Sequence, residues 1–397
     1  MTSVTAPPGR FGPRHHIVSM DILRACAAAL VVFYHFFYFS AHDAGPDGIA
    51  AIIGEPLAFP TAEPFTWWGW VGVYIFFVIS GFVITMSAQN KTALDFAVGR
   101  FLRLYPALAF FATLALIVTW LRAPIPAGEA VSRWIHALTL YPQGPWIDGA
   151  IWTLTVEVMF YALIWLCVLG RRTENLPRYL RLVTAGLGLF WLGVFLQSLV
   201  GLGSAGAALL SVAAAYKSKF FLLTTGSFFA LGMFLYESYR LGWRRERAIF
   251  ALIATASCLM ALHTFSLATT GPVLALEHSP WVPMLVWLLF TALCAGAVQV
   301  EARWQPGPRY RALARSVGLM TYPLYLINQV TGAYLIYLLL QLGLGALSAT
   351  LIATLAIFAA SYGFALNVEP ALRHVLGRGV TALTGRVKRR WHALRRA

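Results

Sequence analysis

The chain has 397 residues, of which 59 % are hydrophobic and 11 % are charged. Because soluble domains carry about 25 % charged residues, this composition excludes a soluble enzyme and is typical of a polytopic membrane protein. The formal net charge of +15 would suit a nucleic-acid-binding protein, but the placement of the basic residues argues against that function. The four cysteines all fall in apolar segments, so we expect small buried hydrophobic residues rather than a disulfide set or a metal site.

Ten segments are long and apolar enough to cross a bilayer, which takes about 20 residues of helix. They cover residues 17–40, 66–88, 104–122, 151–169, 182–203, 219–238, 248–268, 281–300, 317–341 and 344–366. The sequence therefore predicts an all-α polytopic membrane protein with about ten transmembrane helices. The first segment is too long and too polar for a cleaved signal peptide, because it holds Asp21, Arg24 and His35.

The connections between these segments alternate in charge. With the N-terminus taken as cytoplasmic, 25 of the 30 basic residues fall on the inner side, and the outer loops hold only Arg122, Arg133, Lys217 and Lys219. By the positive-inside rule, both termini are then cytoplasmic. We expect a cytoplasmic N-terminal tail at 1–16, a membrane domain at 17–366 and a basic cytoplasmic tail at 367–397. The end of this tail, GRVKRRWHALRRA at 385–397, is interpreted as an amphipathic helix on anionic membrane lipid, with nucleic acid as the weaker alternative.

The first segment, DILRACAAALVVFYHFFYF, keeps an arginine and a histidine among apolar residues. Arg24 and His35 are eleven residues apart, about three helical turns, so they project from nearly the same face. Asp21 precedes Arg24 by three residues and is its natural ion partner. Because charged groups in a membrane usually face a polar interior, we interpret this face as a track with a cation near the cytoplasm and a titratable base deeper in. Alternatively, Arg24 snorkels to the interface and His35 only hydrogen-bonds a neighbouring helix.

A carboxylate lies inside a second predicted span, at Glu157 in IWTLTVEVMFYALIW. Counted from the outer end of its helix, Glu157 lies about 10 Å deep, a depth similar to that of His35. A carboxylate beside a histidine holds one tautomer and raises its basicity, as a general base requires. A purely structural His–Glu pair is the alternative.

The cytoplasmic stretch KTALDFAVGRFLRLYP carries two arginines three residues apart. Thr92 with Asp95 resembles a capping box, so a helix is expected to begin there, and Pro106 would open the next span. Arg100 and Arg103 then share a face at the inner membrane surface, which suits a phosphate-bearing ligand. Ordinary positive-inside anchoring is the alternative.

The outer loops have their own patterns. The loop at 41–65 has four prolines and is expected to be irregular, whereas VSRWIHALTLY within 123–150 predicts an interfacial helix. Tryptophans crowd the outer interface and are interpreted mostly as aromatic-belt anchors, one of which could stack on a sugar ring: Trp67, Trp68, Trp70, Trp146 and Trp152.

Together these motifs resemble the acyltransferase-3 family of integral-membrane acyltransferases, which modify surface carbohydrates in bacteria. The matching stretches, in the family's order over about 300 residues, are MDILRACAAALVVFYHF, WWGWVGVYIFFVISGFVIT, GRFLRLYP, IWTLTVEVMFY and VGLMTYPLYLINQV. The resemblance implies a ten-helix bundle in the bacterial cytoplasmic membrane. It also implies an acyl-CoA donor on the cytoplasmic side and a carbohydrate acceptor reached from the other side.

Carried over by position, the resemblance implies that His35 is the catalytic histidine and that Glu157 is the family's acidic residue. It likewise implies that Arg24, Arg100 and Arg103 bind the donor.

The chain also departs from the family pattern. Tyr74 stands where the family often has Asp, and Ile22 and Ala25 stand where it often has Gly. Asn328 occupies the end of a motif that usually closes with His. Because Asn cannot act as a base at neutral pH, either this position only hydrogen-bonds or the acceptor chemistry differs.

The sequence thus predicts an O-acyltransferase that needs no metal and moves an acyl group onto a carbohydrate hydroxyl. Acetyl is the acyl group expected first. His35 would deprotonate that hydroxyl or carry the acyl group briefly. A proton-coupled transporter or flippase of a glycan is the alternative from another class, because ten helices and an intramembrane His/Glu pair would suit a carrier. A non-catalytic scaffold is the third possibility, and Asn328 is its only support.

Overall fold

The computed structural model describes residues 17–43, 45, 48–170, 173–270, 278–301 and 306–394. Within these ranges the chain is helical and contains no strand. The α-helices are α1 Val18–Tyr34, α2 Ser40–His42, α3 Ile49–Ile53, α4 Glu63–Thr66, α5 Val71–Ala88, α6 Ala93–Arg122, α7 Ala127–Thr139, α8 Trp152–Leu169, α9 Leu176–Val200, α10 Gly203–Ala214, α11 Tyr216–Phe220, α12 Gly226–Leu241, α13 Arg245–Thr270, α14 Trp281–Glu301, α15 Pro308–Ile327, α16 Val330–Gln341, α17 Ala346–Gly363 and α18 Glu369–Leu394. Short 3₁₀ turns cover Gly149–Ile151 and Thr173–Asn175, and π-helical turns cover His35–Phe39 and Phe364–Val368.

Eight helical stretches of the described chain are long and apolar enough to cross a membrane. The number rises to nine if α15 and α16, which meet at a bend of 74°, form one span. The predicted all-α polytopic membrane fold is therefore confirmed. The count of ten helices and the cytoplasmic placement of both termini stay predictions.

The predicted segment 219–238 differs most from the structure. Its helix begins at Gly226 rather than at 219, because the chain turns at Leu222, whose φ of 60° is left-handed. The resulting α12 has 16 residues. It is about 24 Å long, which is shorter than the roughly 30 Å of a hydrocarbon core. A separate apolar helix, Gly203–Ala214, precedes it and was not predicted.

The chain forms two compact units. The first comprises the chain up to Leu30, Trp68–Gln89 and Val156–Gly318. Its centre is the contact between α5 and α12, where two glycines let the backbones touch. A Cβ on Gly81 would lie 2.1 Å from the Phe229 carbonyl oxygen, and a Cβ on Gly232 would lie 2.0 Å from that of Val78. Such small residues are what close helix packing in membranes uses.

The carboxylate of Glu301 caps the start of α1 within this first unit. Glu301, the last residue of α14, accepts the backbone N–H groups of Val18 and Ser19 at 2.6 and 2.9 Å, and the Ser19 hydroxyl at 2.7 Å. These donors are among those that a helix N-terminus leaves without an intrahelical partner. Glu301 therefore anchors the beginning of the helix that leads to Asp21, Arg24 and His35.

The second unit comprises Val31–Trp67, Asn90–Thr155 and the chain from Leu319 onward. Its longest helix, α6, starts where the capping box predicts, because the Asp95 N–H donates to the Thr92 hydroxyl at 3.1 Å. Pro106 lies inside α6 rather than at the start of a new span, so the cytoplasmic segment and the third span are one helix. The last helix, α18, packs against α6.

Several local predictions need correction. The loop 41–65 is not wholly irregular, since it contains α3 and α4. The helix expected in 123–150 is present as α7, whose position at an interface stays a prediction. Trp67 is only 2 % exposed, so it is a core residue and not an interfacial anchor. Cys258 and Cys294 are buried as predicted, but Cys26 is exposed on its helix.

The described residues cover the two predicted tails to different extents. The N-terminal tail, 1–16, lies outside the described residues, as do Arg171, Arg172 and Arg303 of the charge pattern. The helix predicted for the basic tail is present as part of α18, which runs to Leu394. Its contact with anionic lipid stays a prediction.

Candidate active site

His35 opens a π-helical turn that continues α1, so the first predicted span changes its winding at this residue. Such turns occur frequently at functional sites. Aromatic rings flank the imidazole, with the centroids of Tyr34 and Phe39 at 5.4 and 5.7 Å. The histidine is thus held in a largely apolar setting, half-buried, on a locally rewound helix.

The partner of His35 is Asn328. The imidazole Nδ1 hydrogen-bonds the Asn328 side-chain oxygen. The Asn328 amide nitrogen donates to the backbone carbonyls of Leu324 and Tyr325, at 3.2 and 2.7 Å, and these two bonds define which end of the amide is the oxygen. Because that oxygen can only accept, Nδ1 must carry the hydrogen. Neutral His35 is then the tautomer whose Nε2 has a lone pair.

Asn328 lies fully buried at the break between α15 and α16. The carboxylate of Asp148 stabilises this break, because it accepts the N–H of Ala150 at 2.8 Å and that of Val330 at 3.3 Å. One side chain therefore caps the starts of two helical segments. Burial raises the pKa of Asp148 to about 6, and the two backbone hydrogen bonds oppose that rise. No motif in the sequence marks Asp148 as a functional residue.

Hydrogen bonds to Ala150 and Thr153 hold the side chain of Tyr325 in place. Its hydroxyl donates to the Ala150 carbonyl at 3.0 Å, and the Thr153 hydroxyl donates to the Tyr325 oxygen at 2.8 Å. The Tyr325 carbonyl in turn holds the Asn328 amide. A chain of buried hydrogen bonds thus determines where the Asn328 oxygen sits, and with it the orientation of the His35 ring.

Two of the three predicted donor arginines, Arg100 and Arg103, lie on α6 in the same unit as His35. Arg103 forms an ion pair of 3.2 Å with Glu369 and lies over the ring of Tyr322, 5.6 Å from its centroid. The Tyr322 hydroxyl donates to the Leu104 carbonyl at 3.0 Å. Arg100 lies one turn before Arg103, with its guanidinium 5.9 Å from the centroid of the Phe96 ring.

Glu369 is a site residue that the sequence analysis missed. It is 2 % exposed and also pairs with Arg373 at 2.5 Å. A signal was present, because Glu369 is the only acidic residue after Glu301 in an otherwise basic stretch of chain. A lone carboxylate among many cations is a natural candidate for a specific ion pair.

The other two predicted site residues, Arg24 and Glu157, belong to the first unit. The predicted ion pair between Arg24 and Asp21 is present at 3.8 Å. Glu157 accepts a hydrogen bond from the Ser80 hydroxyl at 2.8 Å. The group on Nδ1 of His35 is Asn328, so the pairing of His35 with Glu157 stays a prediction.

Within the described residues, no group of three or more His, Cys, Asp and Glu side chains is placed to hold a metal ion. The described site residues offer an imidazole with an oriented lone pair at His35 and a guanidinium cation paired with a carboxylate at Arg103.

Comparison with known families decides the class of the protein. The model of the acyltransferase-3 family, described as an acyltransferase domain, matches residues 17–366. The chain belongs to the acyltransferase-3 family. No curated protein and no solved structure matches it. Family membership makes the protein a membrane acyltransferase, which confirms the resemblance and disfavours a transporter or flippase.

Proposed function

We propose that this acyltransferase is an O-acyltransferase of the bacterial cytoplasmic membrane. It takes an acyl group from cytoplasmic acyl-CoA and moves it to a hydroxyl of a lipid-linked or exported carbohydrate. Acetyl is the acyl group that we propose first. The observation that carries the proposal is the hydrogen bond from His35 Nδ1 to Asn328, because it leaves Nε2 unprotonated. A lone pair on an oriented imidazole is what the deprotonation of a hydroxyl requires.

In the proposed reaction, His35 Nε2 takes the proton from the acceptor hydroxyl while its oxygen attacks the thioester carbonyl carbon. The C–O bond forms, the C–S bond breaks, and the proton passes from the imidazolium to the departing CoA thiolate. The Asn328 oxygen remains on Nδ1–H and stabilises the imidazolium while it exists. If His35 instead carried the acyl group, Nε2 would attack the thioester itself, and labelled acyl-enzyme would accumulate without an acceptor.

The donor is the substrate that the arginines would bind. Coenzyme A carries phosphate groups, for which planar guanidinium groups are well matched. Glu369 uses one N–H of Arg103 in this structure, and a guanidinium has five, so four donors of Arg103 are not used by that carboxylate. Arg24 is proposed as a donor-side cation as well, because it lies near the start of α1, the end that the charge pattern predicts to face the cytoplasm.

The direct test is His35→Ala in purified full-length protein, assayed by thiol release from acetyl-CoA with a glycan acceptor. Loss of a general base should lower the rate about 10²–10⁴-fold. His42→Ala is the matched control, because His42 is an exposed histidine seven residues further along, held by the Tyr38 carbonyl. A folded His35→Ala protein with full activity would contradict the assignment.

The acceptor class needs a separate experiment. Mass spectrometry of surface glycans from a deletion strain should show the loss of an ester-linked acyl group, and the mass difference gives its identity. Unchanged glycans in the deletion strain, together with acyl transfer to a lipid or protein by the purified enzyme, would contradict a carbohydrate acceptor.

A further inference from the structure

The chain continues past the matched domain, residues 17–366, into α18, and the first turns of that helix reach the donor arginines of α6. We propose that Arg373 is a further arginine of the donor site, where it binds a phosphate group of acyl-CoA beside Arg100 and Arg103. This inference rests on the proposed function, because it names how the same donor is held. It assigns a binding role to a segment for which the charge pattern predicts only a cytoplasmic location.

The first observation is the sharing of one oxygen. Oε1 of Glu369 accepts from Arg103 at 3.2 Å and from Arg373 at 2.5 Å. Two guanidinium groups from different helices therefore meet at a single atom. Arg373 also lies within electrostatic range of Arg100. The cluster of three arginines and one glutamate carries a formal charge of +2.

The second observation is the pattern of exposure. The Glu369 side chain is 2 % exposed, whereas those of Arg103 and Arg373 are 23 % and 33 % exposed. The carboxylate thus forms the closed side of the cluster, and the guanidinium groups form its accessible side. Nε of Arg373 is buried, and it makes no hydrogen bond within the part of the chain that the structure describes.

Stability alone does not account for this arrangement. Guanidinium groups repel one another, and one carboxylate balances only one of them. A half-buried cluster with an excess of arginine is typical of sites that bind phosphate, where several N–H donors converge on one anion. The phosphates of coenzyme A supply the missing negative charge. A phospholipid headgroup offers the same chemistry, so the experiment must separate the two sources.

The test measures binding of coenzyme A, which carries no acyl group and so undergoes no turnover. Full-length protein is placed in phosphatidylcholine nanodiscs and titrated with coenzyme A. Arg373→Gln should weaken the affinity about tenfold to a hundredfold, the range for a charge-assisted hydrogen bond. Arg378→Gln is the matched control, because Arg378 is exposed on the same helix and hydrogen-bonds only His374 among the described contacts. The control should bind as wild type does.

A second variant covers the case in which Arg373→Gln does not fold. Arg373→Lys keeps the charge but not the planar fork, so it should fold and still bind coenzyme A more weakly than wild type. Equal affinities of Arg373→Lys, Arg373→Gln and wild type would overturn the proposal. If Arg103→Gln weakens binding and Arg373→Gln does not, this inference fails and the proposed function stands. If the wild-type protein does not bind coenzyme A at all, the proposed function fails first.

The same variants test whether the cluster binds the phosphate of a lipid headgroup instead of that of coenzyme A. Nanodiscs that contain phosphatidylglycerol are compared with phosphatidylcholine alone, and bound lipid is measured by native mass spectrometry. The proposal expects equal lipid retention in wild type and Arg373→Gln. Loss of bound phosphatidylglycerol in Arg373→Gln, with unchanged affinity for coenzyme A, would assign the cluster to a lipid headgroup and overturn the proposal.

Discussion

At the scale of single residues, Asn328 decides the protonation pattern of His35. Its amide nitrogen is engaged by two carbonyls of α15, so its oxygen has one available role, which is to accept from Nδ1. The family pattern usually has His at this position, and Asn cannot replace it as a base. The structure supports the first of the two readings of this departure, in which the residue only forms hydrogen bonds.

Asn328→Leu should therefore reduce the rate while the protein remains folded. Leucine has a similar volume but no acceptor, so the tautomer with a free Nε2 loses its hydrogen bond. One such bond is worth about 1 kcal/mol, and we expect a fall in kcat of roughly tenfold or less with little change in KM for the donor. Steady-state kinetics check this, with thermal unfolding as the folding control. An unchanged kcat in a folded variant would show that Asn328 does not orient His35.

Substitution can also decide whether Glu157 has a catalytic or a purely structural role. If its charge supports His35 during transfer, Glu157→Gln should lower kcat steeply and alter the pH–rate profile, while binding of coenzyme A stays nearly intact. Ser80→Ala is the companion variant, because it removes the hydrogen-bond donor of Glu157 and keeps the charge. A pH–rate curve of Glu157→Gln that superimposes on wild type would exclude the predicted pair.

At the scale of secondary-structure elements, the break between α15 and α16 organises the site. A straight helix would place residue 328 within a continuous turn, whereas the 74° bend leaves the Asn328 side chain to hydrogen-bond both its own helix and His35. Asp148 stabilises the bend by capping the start of α16 and the turn before α8. The carboxylate of one loop residue thus accepts hydrogen bonds from the starts of two helical segments.

Asp148→Asn gives a prediction with a defined pH dependence. The pKa of Asp148 is about 6 in the folded protein and near its usual 3.8 when unfolded, so the folded state binds the proton more tightly. This contribution to stability is full below the unfolded pKa and is lost as pH rises through about 6. Asparagine keeps a capping oxygen without this titration. The apparent unfolding temperature of Asp148→Asn relative to wild type should therefore be higher at pH 7.5 than at pH 5.

The control for this comparison is Glu55→Gln, in which an exposed carboxylate is neutralised on the same side of the predicted topology. Its unfolding temperature, measured at the same two pH values, gives the effect of removing an exposed carboxylate. A pH-independent difference for Asp148→Asn would contradict a buried, titrating carboxylate at the helix break.

At the scale of the whole molecule, the number of crossings is the main open prediction. The helix α12 is short for a membrane span, yet it carries Arg240 in its last turn and is followed by further basic residues, among them Arg244 and Arg247. If α12 crosses, the chain after α14 returns to the cytoplasm. If it does not, the same region lies outside. One position beyond α14 therefore reports on the crossing.

Gly128→Cys and Gly307→Cys in a cysteine-free background form a matched pair for this test. Both glycines are exposed, and a Cβ at either position meets no atom within 4 Å. With ten spans, an impermeant maleimide should label Gly128→Cys in intact cells and should label Gly307→Cys only after permeabilisation. Labelling of both in intact cells would show that α12 does not cross.

The sequence by itself determined the class of the protein, because hydropathy and charge are local properties. Runs of apolar residues predict helices in a membrane, and a capping box predicts where α6 begins, since each depends on neighbours within one or two turns. The same holds for the pair of Asp21 with Arg24. The order of the short motifs was sufficient to predict the family.

Only the tertiary structure decided which groups meet. His35 finds Asn328 across 293 residues, Arg103 finds Glu369 across 266, and Asp148 caps Val330 across 182. No periodicity in one sequence encodes these pairs, because they depend on how helices far apart in the chain pack and where α15 breaks. His35 and Arg103 could therefore be selected from sequence motifs, whereas Asp148 and Glu369 stand out only through their long-range contacts.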